Sequence, residues 1–215
     1  MVKVKICGIT NKKDALKAIN FGADYVGFLV EIDFAEDKVT REKAKEIIGV
    51  LPTNVKSVFV TYLQKAEPIV EIARMIRPAV IQLHNYIALG EIMKIRKLLP
   101  RIELIKAVSV LDGKSITEAK KFERYVDFIL LDTKIKGKKG GTGKVHDWNL
   151  SAKIVKEVKK PVFLAGGLNP ENIKKAIMEV RPYGVDTNSG VKLRARKKSY
   201  KKLRRFIERA KSLGG

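Results

Sequence analysis

Two residues that end apolar runs have side chains suited to proton transfer. Cys7 closes the run KVKIC and precedes a glycine, and Asp132 closes the run FILLD. A thiolate accepts a proton and a carboxylic acid donates one, so the pair is suited to general acid–base catalysis. Both residues also have a structural interpretation, because a buried cysteine packs as a small hydrophobe and an aspartate after a strand caps a helix or fixes a loop.

Further polar side chains stand at the ends of other apolar runs. Gln82 and His84 follow one of them, and Asp186, Asn188 and Ser189 follow the last. His84 has two interpretations: it contacts a substrate, or it is a structural histidine held by hydrogen bonds. In a barrel of parallel strands the residues that close each strand meet at one face, so these side chains are expected to share a site.

Two glycine-containing turns suggest a phosphate site. The turn AGGLNP places Gly166 and Gly167 before a helix, where bare backbone N–H groups and a helix N-terminus attract anions. We expect Asn169 to cap this helix and Pro170 to take its first position. The segment NSG adds Ser189 and Gly190. Their order along the chain matches the place, after strands seven and eight, where barrels often hold phosphate.

Short apolar runs alternate with amphipathic ones along the whole chain, and this pattern predicts parallel strands joined by helices. Eight strand–helix units close most economically into a (β/α)8 TIM barrel, one domain over residues 1–215. An open doubly wound sheet usually carries G-x-G-x-x-G after its first strand, which CGITNKKD lacks. The predicted strands are 3–7, 24–30, 55–61, 79–83, 102–108, 126–132, 161–165 and 183–187.

Strand parity places Cys7 on the same face as Lys3 and Lys5, with Val4 and Ile6 facing the helices. A lysine inside a barrel needs a carboxylate partner, and Asp186 on the last strand could provide it. We expect such a cation to favour the thiolate form of Cys7. The spacing also predicts helices over 13–21 and 198–213 and one capped by Thr40, while the Gly- and Lys-rich loop 133–147 could cover the substrate.

Composition limits the partners. The chain has 45 Lys and Arg against 23 Asp and Glu, a net charge of +22, which suits nucleic acid, an anionic membrane or an anionic small molecule. The basic tail 191–211 has apolar residues at helix-core spacing and no interleaved aromatic residues, so a solvated helix face is favoured over nucleic-acid binding.

No signal peptide or membrane span is expected, and the single cysteine indicates the cytoplasm. Abundant Lys and Glu indicate a thermophilic source.

Taken together, the motifs resemble the phosphoribosylanthranilate isomerase family over almost the whole chain. The matching segments are KICGIT (5–10), GADYVGF (22–28), IQLH (81–84), LLDTK (130–134), GGTGKVHDW (140–148), GGLNPENI (166–173), and RPYGVD with NSGV (181–191). The resemblance implies an Amadori rearrangement in tryptophan biosynthesis, with a phosphosugar substrate and without metal or organic cofactor. It also implies Asp132 as the acid that opens the ribose ring and Cys7 as the base that removes the C2 proton. A monomer or a homodimer is expected.

Other residues carry over less directly. The resemblance implies that Gly166, Gly167, Ser189 and Gly190 hold phosphate and that Asp186 is an active-site residue. The family has an arginine after the second strand that holds the anthranilate carboxylate, whereas residues 31–40 here read EIDFAEDKVT. We therefore expect Lys38, or a lysine of the 134–144 loop, to bind that group. The family's glutamate after Ser-Gly-Val is Lys192, and its serine before Ser189 is Asn188.

Two alternatives remain from the sequence. A different phosphosugar isomerase or epimerase would keep the phosphate turns but would not predict Cys7 with Asp132. A non-catalytic, nucleic-acid-binding barrel is favoured only by the net charge, and its affinity would fall steeply with salt.

Overall fold

The protein folds as a closed barrel of parallel strands surrounded by helices, in a computed structural model that describes residues 1–133 and 146–212. The barrel strands are β1 (Lys3–Ile6), β2 (Tyr25–Val30), β4 (Lys56–Thr61), β5 (Val80–Leu83), β6 (Glu103–Ser109), β7 (Phe128–Asp132), β8 (Val162–Leu164) and β9 (Gly184–Thr187). The helices are α1 (Lys12–Asn20), α2 (Arg41–Ile48), α3 (Ala66–Ile76), α4 (Leu89–Leu98), α5 (Lys114–Glu123), α6 (Trp148–Glu157), α7 (Ile173–Val180) and α8 (Tyr200–Lys211). All eight predicted strands are confirmed.

The first and last barrel strands pair with each other and close the sheet. β1 pairs in parallel with β2 on one side and with β9 on the other. In this register Lys5 lies beside Tyr25 and Asp186. Closure of the barrel therefore places Lys5 of the first strand next to Asp186 of the last.

Alternation along the strands divides the core into two layers. The outer layer lies between strands and helices and includes Val4 and Ile6, both fully buried, as the strand parity predicts. The barrel interior is smaller and contains Cys7 among aliphatic and aromatic side chains. Inward-facing residues fill a barrel of this size, so the open space lies at its rim.

Four of the eight helices named above begin at a side-chain cap. Thr40 accepts the Lys43 N–H at 3.1 Å, which confirms the predicted cap of α2. Asn169 does not cap α7 directly. Its side chain accepts the N–H groups of Glu171 and Asn172 in a turn, and the helix begins later, at Ile173.

Three short strands outside the barrel were not expected from the sequence. β3 (Lys38–Val39) extends the edge of β2, and β10 (Lys192–Arg194) forms an antiparallel hairpin with β11 (Lys197–Lys198). Arg196 turns this hairpin with a φ of +59°. The last helix therefore starts at Tyr200, capped by Ser199, and not at residue 198. Within the described ranges, no helix is both long and apolar enough to cross a bilayer.

Candidate active site

A cavity of about 490 Å³ opens at the C-terminal ends of the barrel strands. This is the face at which (β/α)8 barrels place their catalytic residues. Most of the residues singled out in the sequence line it: Cys7, Gln82, His84, Asp132, Gly166, Gly167, Asp186, Asn188 and Ser189. Gly190 lies one residue behind Ser189 in the 3-10 turn Ser189–Val191 and does not line this space.

The Cys7 thiol lies at the cavity floor beside a buried ion pair. Lys5 Nζ lies 3.0 Å from Asp186 Oδ1, and the Lys5 side chain is fully buried, as predicted from strand parity. Burial would lower the pKa of Lys5, but Asp186 and Cys7 outweigh it and raise that pKa, so the ammonium stays charged. This is the cation that was expected to act on the thiol.

The net effect on the thiol is opposite to the expectation. Burial raises the pKa of the Cys7 thiol above its ordinary value, and Asp186 raises it further, whereas the charges of Lys5 and Lys198 lower it. The charge of Lys5 therefore lowers the pKa of Cys7, as predicted. The Asp186 carboxylate, which neutralises Lys5, also acts on the sulfur and raises that pKa. The free protein holds Cys7 mainly as the thiol.

The Asp132 carboxylate lies at the end of β7 in contact with His84. Asp132 Oδ2 is 3.2 Å from His84 Nε2, and the Gln82 amide nitrogen lies 2.8 Å from Nδ1 of the same ring. With the amide donating to Nδ1, the ring proton stands on Nε2 and points at Asp132. Burial would raise the pKa of Asp132, but the His84 contact and the Thr133 N–H outweigh it and lower that pKa.

A second histidine, His146, links Thr133, the neighbour of Asp132, to helix α6. His146 Nδ1 lies 2.8 Å from Thr133 Oγ1, and Nε2 lies 2.6 Å from Ser151 Oγ. Burial lowers the pKa of His146, which favours the neutral ring. Most of the predicted 133–147 covering loop falls outside the described residues.

The two glycine turns face each other across one side of the cavity. Gly166 and Gly167 have φ angles of +82° and +71°, which glycine adopts without strain. A Cβ at Gly166 would overlap Thr133 Oγ1. The Thr187 hydroxyl donates to the Leu168 carbonyl at 2.7 Å and joins the two turns. Their backbone groups are thus fixed around a space that an anion can enter.

The structure does not bring Lys38 into this site. Lys38 lies on the edge strand β3, outside the cavity, and its ammonium contacts the Asp33 carbonyl at 3.1 Å and the Asp33 carboxylate at 3.4 Å. The lysines of the 134–144 loop fall outside the described residues. Lys38 is the nearest cation in sequence to the expected position, but strand β3 places it outside the cavity.

Three cavity residues with suitable chemistry were missed or left without a role. The Phe34 and Tyr62 rings meet edge to face at 5.0 Å between centroids, and Tyr62 lies 5.1 Å from the His84 ring. Lys192 lines the cavity with its Nζ 2.5 Å from Asp37 Oδ2. In the sequence, Lys192 stands out only as a departure from a motif, and its position directly after NSGV is the signal that points to the site.

Comparisons with known proteins agree with this geometry. A family model described as N-(5′-phosphoribosyl)anthranilate (PRA) isomerase matches residues 4–209. An N-(5′-phosphoribosyl)anthranilate isomerase of Methanocella arvoryzae is 41% identical over 211 residues, 98% of this chain and 99% of that protein.

Solved structures of such enzymes share the fold. Phosphoribosyl anthranilate isomerase from Thermotoga maritima is similar with a TM-score of 0.89 and 38% identity, over 99% of this chain and 100% of that one. Another, in complex with reduced 1-(o-carboxyphenylamino)-1-deoxyribulose 5-phosphate, gives 0.86 and 35% over the same shares. The competing assignments to another phosphosugar barrel or a nucleic-acid-binding barrel are therefore set aside, and the chain belongs to the N-(5′-phosphoribosyl)anthranilate isomerase family.

Proposed function

We propose that this chain converts N-(5′-phosphoribosyl)anthranilate into 1-(2-carboxyphenylamino)-1-deoxyribulose 5-phosphate with Asp132 as general acid and Cys7 as general base. The observation that carries the assignment of roles is that one cavity holds a thiol at the end of β1 and a carboxylate at the end of β7. A chain of this family with both groups in one space can protonate a ring oxygen and deprotonate a neighbouring carbon.

The glycine turns define the phosphate end of the substrate. Gly166, Gly167 and Ser189 line one side of the cavity, and helix α7 begins a few residues after the first turn. Backbone N–H groups and the hydroxyl would hold the phosphate oxygens, and this contact fixes the sugar between Cys7 and Asp132. The neighbouring Asn188 and Asp186 would face the sugar, while Gly190 supports the turn from behind.

The opposite end of the cavity fits the anthranilate group. Phe34 and Tyr62 present aromatic surface, on which a planar ring packs favourably. Lys192 lines the same cavity, and we propose it, in place of Lys38, as the partner of the substrate carboxylate. Its ammonium has three donors, and contact with Asp37 leaves others for the substrate.

Ring opening requires a proton on the ribose ring oxygen. Asp132 would deliver it, the C1–O bond would break, and a Schiff base would form. Because the pKa of Asp132 is lowered, the acid form is a minor one and must be replenished. The His84 Nε2–H group, 3.2 Å from the carboxylate, would stabilise the charge that Asp132 acquires, and a proton from solvent would restore the acid form after each turnover.

The second step removes the C2 proton of the Schiff base. Cys7 as thiolate would take it, and the electron pair left behind forms the enolamine, which becomes the ketone when C1 gains a proton and the C2 hydroxyl loses one. The cation of Lys5 favours the thiolate, and the positively charged Schiff base adjacent to C2 makes that proton acidic. No proton is gained or lost overall.

Loss of the substrate's anthranilate-type fluorescence measures the proposed reaction directly. We expect turnover by the unaltered protein and falls in kcat of about 100-fold or more for Cys7→Ser and Asp132→Asn, the usual range for general acid–base residues. Absence of turnover by the unaltered protein would refute the function. Turnover with both variants nearly unaffected would refute the assigned roles and leave the family assignment standing.

We also propose that the protein acts in the cytoplasm without a metal or organic cofactor, as a monomer or a homodimer. The lone thiol at the cavity floor supports a reducing compartment. Activity retained after exhaustive dialysis against a chelator tests the cofactor proposal, and sedimentation across a concentration series distinguishes monomer from dimer. A chelator-dependent loss of turnover would contradict the former.

A further inference from the structure

Lys198 is a buried cation that the proposed mechanism does not use. It lies on β11, and the residue is 2% exposed. Its ammonium contacts three oxygen atoms: the Cys7 carbonyl at 2.5 Å, the Asn188 amide oxygen at 2.7 Å and the Asn188 carbonyl at 3.5 Å. Its backbone N–H donates to Asp14 Oδ2 at 3.1 Å. The side chain therefore reaches from the C-terminal hairpin to the residue proposed as the base.

The charge of Lys198 is less neutralised than that of Lys5. Lys5 lies 3.0 Å from a carboxylate, whereas the three closest oxygens of Lys198 belong to uncharged groups. In the part of the chain that the structure describes, Lys198 forms no ion pair within 4.0 Å. Burial lowers the pKa of Lys198 to about 8, and the charges of Asp37 and Cys7 oppose that effect.

The same contacts hold the loop that carries Cys7. Gly8 has a φ of +67°, and a Cβ there would lie 2.5 Å from the Asn188 side chain, so the Cys7–Gly8 peptide and Asn188 are in close contact. Cys7 N–H also donates to the Thr187 carbonyl at 2.9 Å. Lys198 Nζ contacts both sides, through the Cys7 carbonyl and the Asn188 amide oxygen.

We propose that Lys198 is a positioning residue that clamps the Cys7–Gly8 peptide to Asn188 and supplies the cation that makes Cys7 an effective base. The proposal rests on Cys7 acting as the base of the proposed function. Its electrostatic part concerns the thiol alone and is measurable without substrate. The titratable and charged groups that face Cys7 or Lys198 are Lys5, Asp186, Tyr62, Asp14, Asp37 and Lys192.

The single cysteine makes a direct test possible. The rate of alkylation by iodoacetamide, followed against pH by mass spectrometry, reports the thiolate fraction of Cys7 and of no other residue. Lys198→Gln keeps an N–H donor and removes the charge, while Lys198→Arg keeps the charge. Lys197→Met alters an exposed lysine on the same strand and serves as the matched control.

We expect Lys198→Gln to be alkylated about tenfold more slowly than the unaltered protein below about pH 8, where Lys198 carries its charge, because a nearby opposite charge lowers a pKa by about one unit or more. The same variant should lose kcat/KM to a similar extent in that pH range and less above it, which a purely structural role would not do. Lys198→Arg and Lys197→Met should keep the alkylation rate of the unaltered protein. Far-UV circular dichroism confirms that each variant is folded.

An unchanged alkylation rate below about pH 8 in folded Lys198→Gln would overturn the proposal. If that variant does not fold, Lys198→Arg decides, because a slower rate despite the retained charge would be equally contradictory. Failure of the proposed function gives a different result: Cys7→Ser would keep its turnover while the alkylation rates still separated the Lys198 variants.

Discussion

Lys192 offers a test of how this chain binds the carboxylate of its substrate. Its Nζ lies 2.5 Å from Asp37 Oδ2 and 3.5 Å from Glu36 Oε2, with 21% of the side chain exposed. Lys192→Met removes a charge-assisted contact worth about 1.5 kcal/mol at the low end of its range, or roughly tenfold in KM. Because the carboxylate does not react, kcat should change much less.

The same substitution should destabilise the fold, because Asp37 would lose its cation. The Asp37 side chain is 2% exposed, and its other oxygen accepts the Arg196 N–H at 2.9 Å. Removing one partner of a buried pair costs about 3 kcal/mol or more, which corresponds to a Tm lower by roughly 6–12 °C for a chain of this size. Lys192→Met with Asp37→Asn should recover most of this loss.

The pH dependence has a definite sign. Burial would raise the pKa of Asp37, but Lys192 and the Arg196 N–H outweigh it and lower that pKa. The resulting stabilisation is present above the unfolded carboxyl pKa of about 3.9 and is lost as pH falls through the lower, folded value. The Tm difference between the unaltered protein and Lys192→Met should therefore be largest near pH 7 and shrink in acid.

Steady-state kinetics with the phosphoribosylanthranilate substrate, together with thermal unfolding, separates the two effects. The double variant should regain Tm without regaining KM, and Arg194→Met, an exposed cation on the same strand, serves as control. A double variant with an unaltered KM would show that the substrate carboxylate binds elsewhere and that Lys192 is not its partner.

Three further predictions follow from the same geometry. Gly166→Ala should destabilise the fold by about 1–3 kcal/mol and raise KM, because alanine is strained at a φ of +82° and its Cβ overlaps Thr133; calorimetry and kinetics check this, and an unchanged Tm would contradict it. Added salt should lower kcat/KM more than kcat, because the net charge of +22 attracts an anionic substrate; salt-independent kcat/KM would contradict steering. Burial would raise the pKa of Asp24, but Lys211, the Val4 N–H and Lys3 outweigh it and lower that pKa, so Asp24→Asn should lower Tm near pH 7 and have less effect below about pH 4.

The order of strands and helices along the chain could be predicted from the sequence, and so could the strand residues that face inward. Both depend on the local alternation of apolar and polar residues. The pairing of Lys5 with Asp186 followed from parity and the closure of eight strands, and the structure confirms it. The helix N-terminus after Gly167 was placed too early because Asn169 and Pro170 suit a turn as well as a cap.

The positions of Lys38, Lys192 and Lys198 could not be derived in this way. They depend on β3 and on the β10–β11 hairpin, whose turn uses Arg196 at a positive φ instead of the glycine or asparagine that usually marks such a turn. The pattern of the lysine-rich tail predicts that its lysines are solvated. Most of them are, but Lys198 is buried. Likewise, the net shift in the pKa of Cys7 depends on burial, which no motif reports.

Closure of the barrel between β1 and β9 also makes the thiol a sensor of complete folding. Cys7 is the seventh residue, whereas its neighbours Asp186, Asn188 and Lys198 are translated much later. A partly folded chain that lacks the last strand and hairpin leaves Cys7 without its carboxylate neighbour and without its clamp. Its thiol would then react as an ordinary exposed one, so the loss of alkylation reactivity during refolding would time the docking of the final strand.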